Sequence, residues 1–176
     1  ETDAPQRKRV ARGEAEPLLS GLLFTADGEK LVPSYTNKKG KRYCYYTPAL
    51  HLRIGAWASK HGSLPAEPIE ALVTEQLVLA LQAPHITQMV VDRMRVIRPD
   101  IDEPQVVLPM RNLAAMWPTV DPAEQRRLAQ LLIERVVLGD DGLEIVWRDL
   151  GWQELVGDLL PGTIGAELQE LEAEAV

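Results

Sequence analysis

Four cationic side chains surround one short turn of this sequence, and three tyrosines follow it directly. The cations are Lys38, Lys39, Lys41 and Arg42, and the tyrosines are Tyr43, Tyr45 and Tyr46. Cationic groups bind phosphates, aromatic rings stack on bases or sugars, and a β-hairpin fits a groove of duplex DNA. These residue types at this spacing indicate a nucleic-acid contact; the alternative interpretation is a solvated basic loop.

The net charge changes sign along the chain. Residues 1–62 hold 11 Lys and Arg against 6 Asp and Glu, a net charge of +5. Residues 63–176 hold 8 against 20, a net charge of −12, so the whole chain carries −7. This asymmetry predicts that a polyanion binds near the first third, and that the acidic remainder serves solubility or contacts a protein partner.

The sequence is poor in residues that could form an active site or a metal centre. It has no glycine-rich phosphate loop and no HExxH motif. Cys44, His51 and His61 are irregularly spaced and lack a fourth ligand, which argues against a metal site. We therefore expect no enzymatic activity and no cofactor.

The compartment and the membrane relationship follow from simple counts. A single cysteine excludes an intrachain disulfide and is typical of a reducing compartment, so we expect a cytoplasmic protein. No apolar run reaches the roughly 20 residues that span a membrane, and no signal-peptide pattern is present. The first residue is Glu1 rather than Met, which suggests a fragment of a longer protein.

Turn signals divide the first third of the chain into short strands. A flexible lead-in over residues 1–17 precedes an apolar run at residues 18–24, and turns at 26–29 and 37–40 separate strands at 30–35 and 41–46. The pattern predicts a three-stranded meander, or ribbon, over residues 18–50. Strand alternation places Tyr43 and Tyr45 on one face and Cys44 and Tyr46 on the other. One pair should be buried, and the pattern does not say which.

The remaining residues favour helices and a second hairpin. Apolar residues recur at helical spacing from Ile69 to Leu81 and from Ile86 to Ile97, and a shorter helix is predicted over Val106–Trp117. Asp121 and Pro122 form a typical helix start, and residues 136–147 a hairpin. We predict an α+β fold, with a helical region at 51–117, a helix plus hairpin at 118–160 and an acidic tail at 161–176.

Several short motifs together resemble a known family. They are Leu-Leu-x-Gly-Leu-Leu from Leu18, Gly-Lys-Arg-Tyr-x-Tyr-Tyr from Gly40, Ile-Glu-Ala-Leu-Val from Ile69, Asp-Pro-Ala-Glu from Asp121, Glu-Arg-Val-Val from Glu134 and Asp-Gly-Leu-Glu-Ile from Asp141. In this order and spacing they resemble the C-terminal region of the large serine recombinases, which include phage integrases and transposon-type relatives of the resolvases. The resemblance covers about Leu18 to Leu150.

The resemblance also exposes two departures from the family. The family ribbon usually binds zinc through two cysteine pairs, but this chain has Thr25-Ala26-Asp27-Gly28 and Thr47-Pro48 at the corresponding places. We therefore expect a zinc-free ribbon held together by packing. The family's catalytic domain, with its nucleophilic serine and its arginine cluster, has no counterpart here. The motif around that serine is absent at Ser20, Ser34, Ser59 and Ser63.

These observations lead to one hypothesis and one alternative. The chain is expected to bind double-stranded DNA at one half of a recombination site and to position an absent catalytic domain. Phosphates would be held by Lys38, Lys39, Lys41 and Arg42, and Tyr43 and Tyr45 would contact the DNA. The alternative is an oligomerisation module of the same recombinase, which self-associates through its helical middle and has little DNA affinity. No membrane contact is expected.

Overall fold

The computed structural model describes residues 16–160, and these residues form six α-helices and two three-stranded sheets. The strands are β1 Leu23–Thr25, β2 Leu31–Lys38, β3 Lys41–Pro48, β4 Leu64–Pro65, β5 Ile133–Gly139 and β6 Gly142–Trp147. The helices are α1 Ala49–Ile54, α2 Ala66–Gln82, α3 Pro84–Ile97, α4 Glu103–Met116, α5 Pro122–Leu132 and α6 Gly151–Leu159. This confirms the predicted α+β class. The predicted acidic tail and all but the last two residues of the predicted lead-in lie outside the described residues.

The ribbon sheet consists of β2, β3 and β4 in that order, and all its pairs are antiparallel. Its first two strands form the predicted hairpin, with Leu31 opposite Pro48 at the base and Lys38 opposite Lys41 at the tip. Strand β4 was not predicted, because it is two residues long and contains Pro65. A proline fits this position because β4 is an edge strand, and one side of an edge strand needs no ladder donor.

The predicted meander is wrong in its first strand. Strand β1 does not extend the ribbon sheet; it pairs in parallel with β5, so that Leu23 lies opposite Val136. The mixed sheet that results has the order β1-β5-β6. An isolated bridge between Phe24 and Lys30 and hydrogen bonds between Thr25 and Glu29 join β1 to the chain before β2. The physical reason is burial: Leu23 is fully buried, and the partner strand covers it with the apolar side chain of Val136.

Helices α2, α3, α4 and α6 pack around one apolar core. Among its fully or almost fully buried members are Val73, Leu77, Leu81, Val90, Met94, Val106, Met110, Leu155 and Val156. Helix α2 spans the predicted apolar repeat, although Leu72 faces outward. The core therefore holds α2 in place, and α2 in turn supports the ribbon sheet, because it contacts β3.

The last third of the described chain follows the prediction in part. Asp121 caps α5 as predicted, since its Oδ1 accepts a hydrogen bond of 2.9 Å from the amide of Ala123. Strand β5 starts at Ile133, three residues earlier than predicted. From Gly151 the chain continues as helix α6. Any side chain at Gly151 would place its Cβ 2.2 Å from the carbonyl oxygen of Leu131. Within residues 16–160, no helix is long and apolar enough to cross a membrane.

Candidate nucleic-acid interface

The tip of the β2–β3 hairpin gathers the four predicted phosphate-binding cations. Lys39 and Gly40 form a two-residue turn in which both φ angles are positive, 51° and 77°. Such a turn matches the right-handed twist of the two strands and brings them back at once. Lys38, Lys39, Lys41 and Arg42 are consequently all exposed within five consecutive positions. Among residues 16–160, no carboxylate forms an ion pair with any of the three lysines.

Two tyrosines hold two of these cations against the surface of the hairpin. The Arg42 guanidinium carbon lies 3.8 Å from the ring centroid of Tyr35, and the Lys41 ammonium lies 5.4 Å from that of Tyr43. A cation over an aromatic face is attracted by the ring quadrupole. Successive side chains of a strand point to opposite faces, so Lys41 and Arg42 present positive charge on both faces of the hairpin. Tyr35 was not predicted as part of the site. The signal that could have indicated it is the register of the hairpin, in which Tyr35 lies opposite Cys44.

The buried pair of alternating residues on β3 is Cys44 and Tyr46. Tyr46 is completely buried and Cys44 is half-buried, whereas Tyr43 is exposed and Tyr45 is half-buried. Burial raises the pKa of the Cys44 thiol, and the nearby Glu70 carboxylate adds to the effect. A thiol with a raised pKa is a poor nucleophile and a poor metal ligand, so Cys44 is a packing residue. Of the two tyrosines predicted to contact DNA, Tyr43 is therefore the more accessible.

Tyr46 anchors the hairpin to the rest of the molecule. Its hydroxyl donates a hydrogen bond of 2.6 Å to Glu70 Oε1 on α2 and accepts one of 3.0 Å from the amide of Leu19. Burial raises the pKa of Tyr46 far above its ordinary value, and the hydrogen bond to Glu70 reinforces this. The hydroxyl therefore keeps its proton and continues to donate to Glu70. Tyr46 belongs to the support of the site and not to its contact surface.

A groove of about 740 Å³ runs between β3 and α2. Lys41 and Arg42 line it from β3, and Glu67 and Glu70 line it from α2. Carboxylates repel phosphates, so this mixed lining makes the groove a poor phosphate site. The exposed tip of the hairpin, beyond the carboxylates of α2, is the better place for a polyanion.

A group of hydrogen-bonded polar side chains, here called the Asp27 cluster, joins the turn before β2 to the loop before β4. Its members are Thr25, Asp27, Glu29, Ser59, Lys60 and His61. Asp27 accepts from Thr25 Oγ1 at 2.6 Å, contacts His61 Nε2 at 2.8 Å and pairs with Lys60 Nζ at 3.2 Å. These contacts, Thr25 first, lower the pKa of Asp27. Asp27, at the first of the two places where the resemblance implies a zinc-binding cysteine pair, is thus held in hydrogen bonds. In the described part of the chain, no group of three or more His, Cys, Asp or Glu side chains could hold a metal ion.

Hydroxyl groups link the three strands of the ribbon sheet near its base. Thr47 Oγ1 lies 2.6 Å from Ser34 Oγ and 2.8 Å from Ser63 Oγ. Ser59 donates to Glu29 Oε2 at 2.7 Å. Three of the four serines considered above therefore use their hydroxyls in structural hydrogen bonds. These serines hold strands and loops together.

The basic surface is larger than the sequence motif indicated. Residues 30–66 contain seven Lys and Arg and no Asp or Glu. Three of these cations, Lys30, Arg53 and Lys60, lie outside the hairpin tip, and all three are exposed. Trp57 lies in the same segment and is 80% exposed. The signal that could have identified these residues is the lack of acidic residues over 37 positions. Counting charges on either side of residue 62 conceals this signal, because residue 62 lies inside the segment.

Comparison with solved structures yields several partial matches, two of which are described below. No protein-family model matches the chain, and no curated protein matches it. One matching structure concerns the sequence requirements of the Listeria innocua prophage attP site; it shares 16% identity with a TM-score of 0.42 over 77% of this chain and 45% of its own. The other is a crystal structure of an LSR–DNA complex, LSR denoting a large serine recombinase, with 13% identity and a TM-score of 0.46 over 74% of this chain and 55% of its own.

The chain thus spans about half the length of these two matching chains. Both TM-scores lie below 0.5, a range in which similarity of shape does not establish a shared function. Function has to be argued from the side chains of the hairpin and from the sequence motifs.

Proposed function

We propose that this chain is the DNA-binding part of a site-specific serine recombinase and that the β2–β3 hairpin holds duplex DNA at one half of a recombination site. Lys38, Lys39, Lys41 and Arg42 bind phosphates, and Tyr43 and Tyr45 contact the sugars or bases beside them. The chain performs no chemical step; it positions a catalytic domain that its sequence does not contain. The ordered motifs shared with the large serine recombinases support this parent.

The observation that carries the proposal is the concentration of positive charge on one narrow hairpin of an acidic protein. A chain with a net charge of −7 is repelled by DNA as a whole, so binding needs a local patch of cations. The two-residue turn gathers four of them, and a two-stranded ribbon is narrow enough for the major groove, which is about 12 Å wide. Lys38 and Lys39 do not line the groove between β3 and α2, whose lining includes Glu16, Glu67 and Glu70.

The decisive experiment neutralises the tip. The variant Lys38→Ala, Lys39→Ala, Lys41→Ala, Arg42→Ala is titrated against a mixed-sequence duplex by fluorescence anisotropy at several salt concentrations. Each lost phosphate contact lowers the slope of log K against log salt by roughly 0.9. We expect weaker binding to every sequence and a slope lower by about 3–4.

A matched control separates the local patch from the total charge. The variant Arg95→Ala, Arg98→Ala, Arg111→Ala, Arg135→Ala removes the same number of charges, all from exposed positions outside the ribbon sheet. It is expected to bind with nearly the affinity and the salt slope of the unmodified chain. Equal losses in both variants would show that net charge alone governs binding, and unchanged binding in the hairpin variant would reduce the hairpin to a solvated surface.

A second candidate function is self-association through the helices. Leu72 and Leu79 lie seven positions apart on α2, which places them on one helix face, and they are 51% and 54% exposed. An exposed apolar stripe is typical of a protein contact. If this stripe joins two chains, the mass measured by light scattering will rise with concentration, and Leu72→Glu with Leu79→Glu will abolish the rise. A constant monomer mass would remove this candidate.

A further inference from the structure

Trp57 is the one tryptophan of the four in this chain that is exposed. Trp117 and Trp152 are each 2% exposed and Trp147 is half-buried, whereas Trp57 is 80% exposed. It lies on a short 3-10 helix, Ala56–Ala58, that follows α1. Leaving so large an apolar surface in water is unfavourable, at about 25 cal/mol for each Å². A contact that covers the indole is therefore expected.

The placement of the indole depends on the glycine two positions before it. Gly55 has a φ of 135°, a backbone angle that residues other than glycine rarely adopt. A Cβ at this position would lie 2.9 Å from the indole Nε1, so the ring lies directly over the glycine. Leu52 and Ile54 on α1 are 55% and 54% exposed. Leu52 and Ile54 are two positions apart and therefore project to different sides of α1. Trp57 and Ile54, three positions before it, are here called the Trp57 surface.

The charges around the Trp57 surface indicate what covers it. It lies within the acid-free segment of residues 30–66, and Arg53 on α1 is exposed beside it. Lys60 is also exposed, although it pairs with Asp27. A symmetric contact between two copies would bring the same surface of each chain together and place Arg53 near its own copy. A nucleic acid has phosphates that can contact the cationic groups, and sugars and bases that can contact the apolar groups.

The position of the Trp57 surface suits the DNA that the hairpin is proposed to hold. Helix α1 starts directly after β3, at the opposite end of that strand from the cationic tip. Eight residues of strand at about 3.4 Å per residue separate the two ends by roughly 24 Å. At 3.4 Å per base pair along a duplex, this is about seven base pairs. One duplex lying along the hairpin can therefore reach both ends.

We infer that the Trp57 surface is a second DNA contact, in which the indole packs against sugars and base edges of the duplex whose phosphates the hairpin tip binds. Apolar and aromatic side chains inserted at a groove are a common means of gripping DNA beside phosphate-binding cations. The inference rests on the proposed function, since it extends the same DNA interface. It adds a contact of a different physical kind, one that salt should affect little.

Intrinsic fluorescence tests the inference directly. Acrylamide quenches exposed indoles, so in this chain it reports mainly on Trp57. A mixed-sequence duplex of about 20 base pairs is expected to reduce that quenching. Trp57→Ala is expected to weaken duplex binding about tenfold, because covering roughly 60 Å² of apolar indole surface has about this effect, while the salt slope stays unchanged. Trp57→Phe should retain most of the affinity, and Val96→Ala, at a residue 84% exposed on α3, serves as the matched control.

The outcomes separate this inference from the proposed function. If the duplex binds with the expected salt slope but neither the quenching nor the affinity of Trp57→Ala changes, the inference is overturned and the hairpin contact stands. If quenching falls with protein concentration in the absence of DNA, a second copy covers the indole and the inference is wrong. If the unmodified chain binds no duplex, both the inference and the proposed function fail. A thermal melt of each variant confirms that it is folded.

Discussion

The acid-free segment of residues 30–66 and the body of residues 67–160 differ in charge and in the burial of their side chains. The segment has seven basic and no acidic residues, whereas the body has 8 basic and 16 acidic residues. The body buries most of the apolar core in its helices, while the segment contributes few fully buried side chains, chiefly Leu31 and Tyr46. The proposed binding surface therefore cannot stabilise itself. It depends on the body for its position.

The connection between the two regions is narrow. Tyr46 reaches from β3 to Glu70 on α2 and to the amide of Leu19, and Ala66, at the start of α2, is buried nearby. The Asp27 cluster makes a second, indirect connection: it joins the loop before β4 to residues 25–29, which follow β1, and β1 pairs with β5 of the body. If the segment is held by the body in this way, damage to either connection should loosen the hairpin and leave its charges intact.

The largest expected effect comes from Tyr46→Ala. Removing a fully buried aromatic side chain costs about 3–5 kcal/mol of unfolding free energy, since it removes apolar contacts and leaves a cavity. Urea denaturation followed by circular dichroism measures the loss. Tyr43→Ala, at a residue 38% exposed on the same strand, is the matched control and should stay within about 0.5 kcal/mol. Equal losses at the two positions would contradict the assignment of Tyr46 as the anchor.

A smaller effect is expected from Tyr46→Phe. The ring and its packing remain, but the amide of Leu19 loses its acceptor and Glu70 loses its donor. A buried group left without a partner costs about 1–3 kcal/mol. Compared with the unmodified chain, Tyr46→Phe should accelerate amide hydrogen exchange more in β2 and β3 than in α3. Glu70→Gln keeps an acceptor oxygen for the tyrosine and should cost less; a Tyr46→Phe variant as stable as the unmodified chain would remove the hydroxyl from the connection.

Local sequence patterns predicted the helices and strands of this fold better than they predicted which strands pair with each other. The helices at α2, α3 and α5 and both hairpins follow from 3.6-residue and two-residue periodicity and from turn residues, which act over short distances. The pairing of Leu23 with Val136 joins residues more than a hundred positions apart, and no local pattern encodes such a pair. Strand β4 is two residues long and contains Pro65, so it carries no strand signal of its own.

In the candidate site too, local sequence patterns predicted some features, and contacts with distant elements decided the others. The cations of the hairpin tip were predicted because a two-residue turn places neighbours in sequence together in space. Alternation predicted the two tyrosine faces of β3, but the choice between them depends on α2, which lies on one side only. Trp57 was missed because an aromatic residue in a sequence is usually interpreted as core, and its exposure follows from the turn at Gly55. The residues predicted to contact DNA remain a prediction that the hairpin variant will test.

The smallest expected effect concerns pH and the Asp27 cluster. The Asp27 pKa is lowered in the folded chain by Thr25, His61 and Lys60, relative to about 3.9 in an unfolded chain. A lowered pKa means that the carboxylate stabilises the fold at every pH above about 4 and that this stabilisation is lost as the pH falls below about 4. The difference in melting temperature between the unmodified chain and Asp27→Asn should therefore shrink as the pH falls below about 4. Lys60→Ala, which leaves the other two partners in place, should retain a weaker form of the same dependence. A difference that does not vary with pH would show that Asp27 acts through its shape and not through its charge, and the link between residues 25–29 and the loop before β4 would then not be electrostatic.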